Sequence, residues 1–338
     1  MRATLCVIIS CVFLSVLIGG CQAVAEAQAV QHYERGRVFY ERGDYDAALA
    51  ELAKAIQVDP DFAMAHTAAG DIHRRQGDLA QAESFYVAAC DADPYAFRPH
   101  YNLGVTCQML AEAARAVERF DHYLRAAAGV YLRAVTLCPS DFDTNLNLSA
   151  CYFQLGKYQL AEQYCRAAIG IDGDSPEAFS NLGIILDSQN RLYEAIAAYK
   201  ESLELDIHQP NLLLNLGSTY LRQGALKAAL SSFKTAAAEA PDQTAPWEQM
   251  GVCCYHMGDL AAAESAYRRA LEINPQSATS HRGIGIVYMT RFMNDKANHE
   301  LRDKALAAWG RSLEIDPQQS DLDRLVAKYT PKPRVPQL

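Results

Sequence analysis

Five side-chain amides are the groups best placed to do recognition chemistry. Asn102, Asn147, Asn181, Asn215 and Gln249 follow one another at intervals of 45, 34, 34 and 34 residues. Leu-Gly or Leu-Ser follows each asparagine, and Met-Gly follows the glutamine. A primary amide both donates and accepts, so a row of them can pair with a passing peptide backbone without reading its side chains. The same groups can instead satisfy local backbone, which leaves two roles open: a peptide-binding ladder or plain scaffold.

Catalytic chemistry finds no comparable pattern. The sequence has no Gly-rich phosphate loop ending in Lys-Ser or Lys-Thr, no His-Glu-x-x-His and no Cys-x-x-Cys. Gly283 and Gly285 fall inside a repeated helix, where packing accounts for them. His66, His100 and His281 recur at a column that elsewhere holds Trp247, so they are expected to pack. No catalytic, cofactor-binding or metal-binding residue is assigned, no cofactor is expected, and the chain is not expected to be an enzyme. A formal charge of −9 disfavours a phosphate backbone as partner, so no nucleic acid is expected. With half of its 338 residues apolar, the chain can bury a core.

The elements that would position the amides follow from a period. Pro60, Pro94, Pro139, Pro241, Pro275 and Pro317 each close an apolar helical pattern, with Gly173 and Ile207 at the two places where proline is missing. A second series, Gly36, Gly70, Gly104, Ser149, Gly183, Gly217, Gly251 and Gly285, is spaced by 34 residues except for one step of 45. A small residue there lets two helices approach closely. Opposite it come Ala82, Ala161, Ala195, Ala229 and Ala263, each followed four residues later by Tyr86, Cys165, Tyr199, Phe233 or Tyr267. Gly77, Gly156, Asn190, Gly224 and Gly258 permit the left-handed turn that ends a first helix. Proline stops the second, because it has no N–H and clashes with the preceding turn.

This 34-residue signature resembles the tetratricopeptide repeat family. The resemblance implies an all-α fold, a right-handed α-α superhelix or solenoid of about eight helix-turn-helix repeats plus a C-terminal capping helix, whose first helices line a concave channel that binds polypeptides. The solenoid is expected over residues 29–319, with repeats at about 29–62, 63–96, 97–141, 142–175, 176–209, 210–243, 244–277 and 278–319. The amide series is similar to the inner asparagine ladder of the O-linked N-acetylglucosamine transferases, whose catalytic domain has no counterpart here. A carboxylate clamp of the kind some family members carry is not evident. In its column only Arg282 is basic, and Arg37, Arg74, Arg98 and Arg222 are scattered beside Asp71, Asp187 and Glu177.

Two repeats depart from the period. Eleven extra residues between Phe120 and Pro139 make three turns at 3.67 residues each, so a lengthened helix that keeps its buried face is expected, with Gly129 as a place where it could break. The polar stretch Met293 to Glu300 has no apolar period and reads as a protruding loop. Ser320 and Asp323 resemble a capping box that opens a capping helix over 320–329, and the proline-rich segment 330–338 is expected to be a disordered tail.

The first twenty residues read as a leader. Leu5 to Ile18 is an uncharged apolar run, too short to span a bilayer comfortably, and Leu17-Ile18-Gly19-Gly20-Cys21 resembles the lipobox of bacterial lipoproteins. The resemblance implies a signal peptide over 1–20, lipidation of Cys21 and a short tether over 21–28. An ordinary secretory signal or an uncleaved anchor fits the same residues. Seven further cysteines lie beyond Cys21; Cys107, Cys165 and Cys254 sit at core columns, and a Cys90–Cys107 disulfide is conceivable in an oxidising compartment.

These readings converge on a non-catalytic protein–protein interaction scaffold. It would bind an extended peptide or a partner helix in the concave groove, be held at a bacterial envelope membrane through lipidated Cys21, and take other proteins of the envelope as partners. The alternative is a regulatory or substrate-presenting subunit of a separately encoded envelope or glycosyltransferase enzyme.

Overall fold

The structure, a computed structural model, describes residues 24–115 and 119–331, and the leader, Cys21 and the tail beyond 331 lie outside the described residues. Among those residues the fold is entirely helical. Seventeen helices alternate with short turns and divide into two compact units that meet in sequence at Gly173 and Asp174.

The first unit holds four helix hairpins: α1 (24–41) with α2 (Tyr45–Val58), α3 (Ala63–Gln76) with α4 (Leu79–Ala92), α5 (Phe97–Ala113) with α6 (Phe120–Leu137), and α7 (Phe142–Gln154) with α8 (Tyr158–Ile171). The second holds four more: α9 (Pro176–Ser188) with α10 (Leu192–Leu205), α11 (Pro210–Gln223) with α12 (Leu226–Glu239), α13 (Thr244–His256) with α14 (Leu260–Ile273), and α15 (Ala278–Asn294) with α16 (His299–Ile315). A last helix, α17 (Ser320–Tyr329), buries Leu322.

Six of the eight hairpins turn by the same local chemistry. Asn190 and five glycines turn the chain with φ between 60° and 82°, and Asn190 is the only non-glycine described residue to do so. Second helices end at an aspartate or asparagine whose side chain caps the next turn. Asp59, Asp93, Asp206, Asn274 and Asp316 each accept the backbone N–H two residues on, at 3.0–3.1 Å. Proline follows most of these residues, and its missing N–H leaves that bond to the next residue.

Close approach within each hairpin is a matched pair. A Cβ placed on Gly70, Gly104, Gly217 or Gly251 would lie 2.5–2.7 Å from the ring of Tyr86, Tyr131, Phe233 or Tyr267 respectively. Gly183 against Tyr199 and Gly285 against Trp309 are tighter still. The fourth repeat inverts the sizes: Ser149 faces the smaller Cys165, both are buried, and the Ser149 hydroxyl donates to the carbonyl of Ala161 at 2.8 Å. Total volume at the contact is thereby kept roughly constant.

The long third repeat is accommodated by helix. α5 and α6 run 17 and 18 residues, Gly129 sits within α6 without breaking it, and Leu124, Ala127, Ala128, Tyr131 and Ala134 keep one buried face. The eighth repeat is corrected. Instead of a protruding loop over 293–300, α15 extends to Asn294 and α16 begins at His299, so only residues 295–298 link two helices of 17 residues each. Phe292 and His299 face each other across that link with ring centroids 6.1 Å apart, an apolar contact the polar composition hid. The cap of α17 is corrected too. Gln319 occupies the N-cap position with no side-chain bond into the helix, and its amide donates to the carbonyls of Ser312 and Asp316 at 3.2 and 3.0 Å. No described helix is long and apolar enough to cross a membrane.

Candidate peptide-binding faces

First helices carry the columns on which the amides lie. In the first unit a groove of 390 Å³ opens between α1, α3 and α5, lined by Tyr33, Arg37, Tyr40, Met64, Ala68, Asp71 and Arg98 among others. Met64 leaves 54% of its surface exposed there. Asp71 is the hub of the groove. Its Oδ1 accepts the Tyr86 hydroxyl at 2.6 Å and the Asn102 amide at 2.8 Å, and its Oδ2 accepts the Arg98 guanidinium at 3.1 Å. Burial and the neighbouring Asp71 carboxylate both push the Tyr86 phenol upward, so it stays a donor.

One member of the amide series is thus committed. Asn102 is buried and spends its N–H on Asp71. Asn147 is partly buried and its amide has no hydrogen-bond partner among the described residues, while burial chiefly raises the pKa of the Tyr101 phenol on the preceding first helix. The arginines expected to be scattered are also occupied. Arg37 pairs with Glu34 and Glu41 at 3.3 and 3.7 Å, and Arg98 with Asp71.

In the second unit all three amides are unspent. Asn181, Asn215 and Gln249 stand at equivalent positions of α9, α11 and α13, each of which touches the next. Asn215 is exposed, and Asn181 and Gln249 are partly so. None of the three side-chain amides has a hydrogen-bond partner among the described residues, although the backbone carbonyl of Asn215 accepts Thr219. Neighbouring charges are settled among themselves. Asp187 takes Arg222 at 2.5 Å and the Thr219 hydroxyl at 2.9 Å, and Glu248 takes the hydroxyls of Ser277 and Ser280 at 2.5 and 2.8 Å.

The histidine column has a structural task. The ring of His66 donates to the Pro60 carbonyl at 2.8 Å and that of His281 to the Pro275 carbonyl at 3.1 Å, tying each first helix to the preceding turn. Asn145 does the same to Pro139 at 3.1 Å, and His100 reaches the Ala96 carbonyl instead. Cys107, Cys165 and Cys254 are buried in the core. Cys90 and Cys107 are both free thiols, so the conceivable disulfide between them is not formed, and burial pushes each thiol up to about 12. No group of three or more His, Cys, Asp or Glu among the described residues is arranged to hold a metal ion.

The family model described as the cilia and flagella-associated protein 70 C-terminal domain, a tetratricopeptide repeat model, matches residues 20–229, and a second tetratricopeptide repeat model matches 220–283. The chain belongs to the tetratricopeptide repeat family. Its hairpins are accordingly those of a tetratricopeptide repeat solenoid. Among relatives, DnaJ homolog subfamily C member 3 from Rattus norvegicus is 25% identical over 181 residues, 52% of this chain and 36% of that protein, so the chain spans about a third of the length of the relative it matches. A tetratricopeptide repeat protein from Parabacteroides merdae ATCC 43184 shares the fold with a TM-score of 0.52 at 17% identity, over 77% of this chain and 99% of that one. A chain in the structure of the APC/C hetero-tetramer Cut9-Hcn1 is similar with a TM-score of 0.53 at 15% identity, over 86% of this chain and 55% of that one.

The tetratricopeptide repeat period places the amide column correctly, but it does not report which amides are spent. Asp71 lies 15 residues from Tyr86 and 31 from Asn102. The hub escaped sequence reading because no local pattern links three residues so far apart. The one signal was an aspartate in a column that holds Arg37 on the first helix before it and Val105 on the one after.

Proposed function

We propose that this chain is a non-catalytic interaction scaffold that holds an extended peptide segment along the second unit. The observation that carries this reading is the row of Asn181, Asn215 and Gln249, three unspent amides at equivalent positions of successive, touching first helices. An extended chain presents alternating N–H and C=O groups that such amides can pair with irrespective of sequence. Family membership supports the coarser statement that the chain has a protein-interaction role. On this reading Asn102 is scaffold, because its amide already has a partner in the first unit. The proposal also takes Cys21 as lipidated and the protein as facing the periplasm or cell surface from a bacterial envelope membrane, which rests on the lipobox-like sequence before Cys21.

The test is a pull-down from envelope extract with residues 22–338, comparing wild type with a variant in which Asn181, Asn215 and Gln249 are all alanine, and a second in which only Asn102 is. Circular dichroism checks that all three are equally helical. Partners lost only from the first variant support the ladder, whereas equal retention would sink it. For the anchor, metabolic labelling with a radioactive fatty acid should mark the full-length protein and fail on Cys21→Ser; label retained on that variant would refute lipidation at Cys21.

A further inference from the structure

A cleft of 520 Å³ on the second unit is lined by Trp247 of α13 and by Ala261, Ser265, Arg268, Arg269 and Glu272 of α14 among others. It lies on a second helix, apart from the amide column. Ala261, Ser265, Arg268 and Glu272 recur every three or four residues as the exposed stripe of α14, opposite the buried Ala263, Ala266, Tyr267 and Ala270. Trp247 stands in the histidine column without doing that column's task. His66, His281 and Asn145 are each bonded to the proline carbonyl of the preceding turn, whereas the Trp247 indole N–H is buried and has no acceptor among the described residues. A donor left so is costly, and without that tie only packing holds the ring, so a tilt can bring the N–H to an incoming carbonyl. The half-exposed Arg269 lies over the indole at 5.9 Å and donates to Oε2 of Glu272 at 2.7 Å. Oε1 of Glu272 has no partner among the described residues.

An aromatic wall, one unused N–H donor and an open carboxylate oxygen suit a proline-rich segment that carries a basic residue. This chain has such a segment. Residues 331–338 read Pro-Lys-Pro-Arg-Val-Pro-Gln-Leu, with Pro333 and Pro336 in Pro-x-x-Pro spacing around Arg334. Three prolines remove three N–H groups, so the segment offers mainly acceptors and fits a single donor on an aromatic wall better than a row of amides. We propose that residues 331–336 of a second copy of this chain dock in the Trp247 cleft. A proline ring replaces Arg269 against the indole, a tail carbonyl takes the indole N–H, and Arg334 pairs with Glu272. Reach decides that the tail comes from a second copy. α13 touches α15, and α17 packs on α16 as each first helix packs on the second helix before it, so α13 and α17 stand about two helix spacings, roughly 16–20 Å, apart. Trp247 lies in the first turn of α13 and the tail leaves the last turn of α17, which adds roughly 9 Å along the helix direction. At about 3.1 Å per residue the middle of the Pro-x-x-Pro motif is only roughly 14 Å beyond Thr330. Its own cleft is out of range. Cleft and tail both belong to the second unit, so two copies can exchange tails reciprocally and close as a two-fold pair. The contact is independent of the amide row.

Sedimentation equilibrium on residues 22–338, which contain every described residue and the whole tail, measures the mass of wild type and three variants. They are Trp247→Phe, Glu272→Lys, and Pro333→Ala combined with Pro336→Ala, with circular dichroism recorded for each. Glu272 is largely exposed and both prolines lie outside the described helices, so the last two variants test cleft and tail without touching the core. Wild type should approach twice the monomer mass as concentration rises. Each variant should raise the concentration of half-dissociation about tenfold or more, because every pair loses both contacts together. Mixing Glu272→Lys with the proline variant should regain association that neither shows alone, since one keeps the tail and the other the cleft. A wild type that stays monomeric, or a dimer indifferent to the cleft and tail changes, overturns the proposal. Tryptophan emission that shifts on the proline changes while wild type is monomeric would assign the tail to its own cleft and overturn the second-copy reading.

Discussion

Gly217→Ala should destabilise the second unit, and the cause can be isolated. An alanine Cβ there would lie 2.5 Å from Cε1 and 2.8 Å from Cδ1 and Cζ of Phe233, against an optimum near 3.5–4.0 Å for two carbons. Phe233 is completely buried, so its ring cannot swing into solvent to make room. Overpacking of this kind costs about 1–3 kcal/mol, and replacing glycine by alanine inside a helix returns about 1 kcal/mol. An overlap this deep belongs at the upper end of that range, leaving a net loss of about 2 kcal/mol. The assay is urea denaturation followed by far-ultraviolet circular dichroism, on wild type, Gly217→Ala, Phe233→Leu and the double variant. The smaller side chain should absorb part of the clash, so the double variant should be less destabilised than the sum by about 1 kcal/mol. Additivity within about 0.5 kcal/mol would refute the steric argument. Gly129→Ala serves as the opposite control. It sits mid-helix in α6 with nothing within 4 Å of the added carbon, so it should gain about 0.5–1 kcal/mol.

Three further outcomes are expected. Asp71→Ala strands the Tyr86 hydroxyl and the Asn102 amide together and should cost about 2 kcal/mol or more by the same denaturation assay, while a loss under about 0.5 kcal/mol would show the hub is dispensable. Burial pushes the thiols of Cys107, Cys151 and Cys165 up to about 12, so native protein at pH 8 should resist iodoacetamide at all three and urea should release them; rapid native labelling of any one, located by mass spectrometry, would contradict its placement. Glu51 is held at about 2, below its ordinary 4.5, by hydrogen bonds from Lys54 and then His32. A depressed carboxyl stabilises fully above its unfolded value and stops doing so as pH falls through the folded one. The gap in thermal midpoint between wild type and Glu51→Gln should therefore be constant above about pH 5 and close between 4.5 and 2; a gap unchanged at pH 2 would exclude that ion pair as the cause.

Much of the fold is legible in the sequence because its determinants are local or periodic. Gly77 and Asn190 mark turns through their own backbone freedom, and Gly70 with Tyr86 shows as a small and a large residue sixteen apart. The third repeat was readable for the same reason, since its extra residues preserve an apolar face that ends in Tyr131 and Ala134. The link in the eighth repeat was not, because Asn294 and His299 are poor predictors of helix and no local pattern announces the contact between Phe292 and His299. The amide series shows the limit most clearly. Five amides at equivalent columns look alike as letters, yet Asn102 differs from Asn215 because Asp71 stands on the helix before it. Occupancy of a hydrogen-bonding group is a property of its neighbours in space, and those neighbours are about a repeat away.

Both tryptophans of the chain, Trp247 and Trp309, fall in the last two hairpins. Trp309 is sealed against Gly285, and Trp247 lies under the Arg269 guanidinium at 5.9 Å. Intrinsic emission excited at the red edge of protein absorbance is therefore an optical reporter confined to that end of the molecule, while dichroism sums over every helix. Recording the two signals in one titration would time the melting of the last hairpins against the rest without any added label.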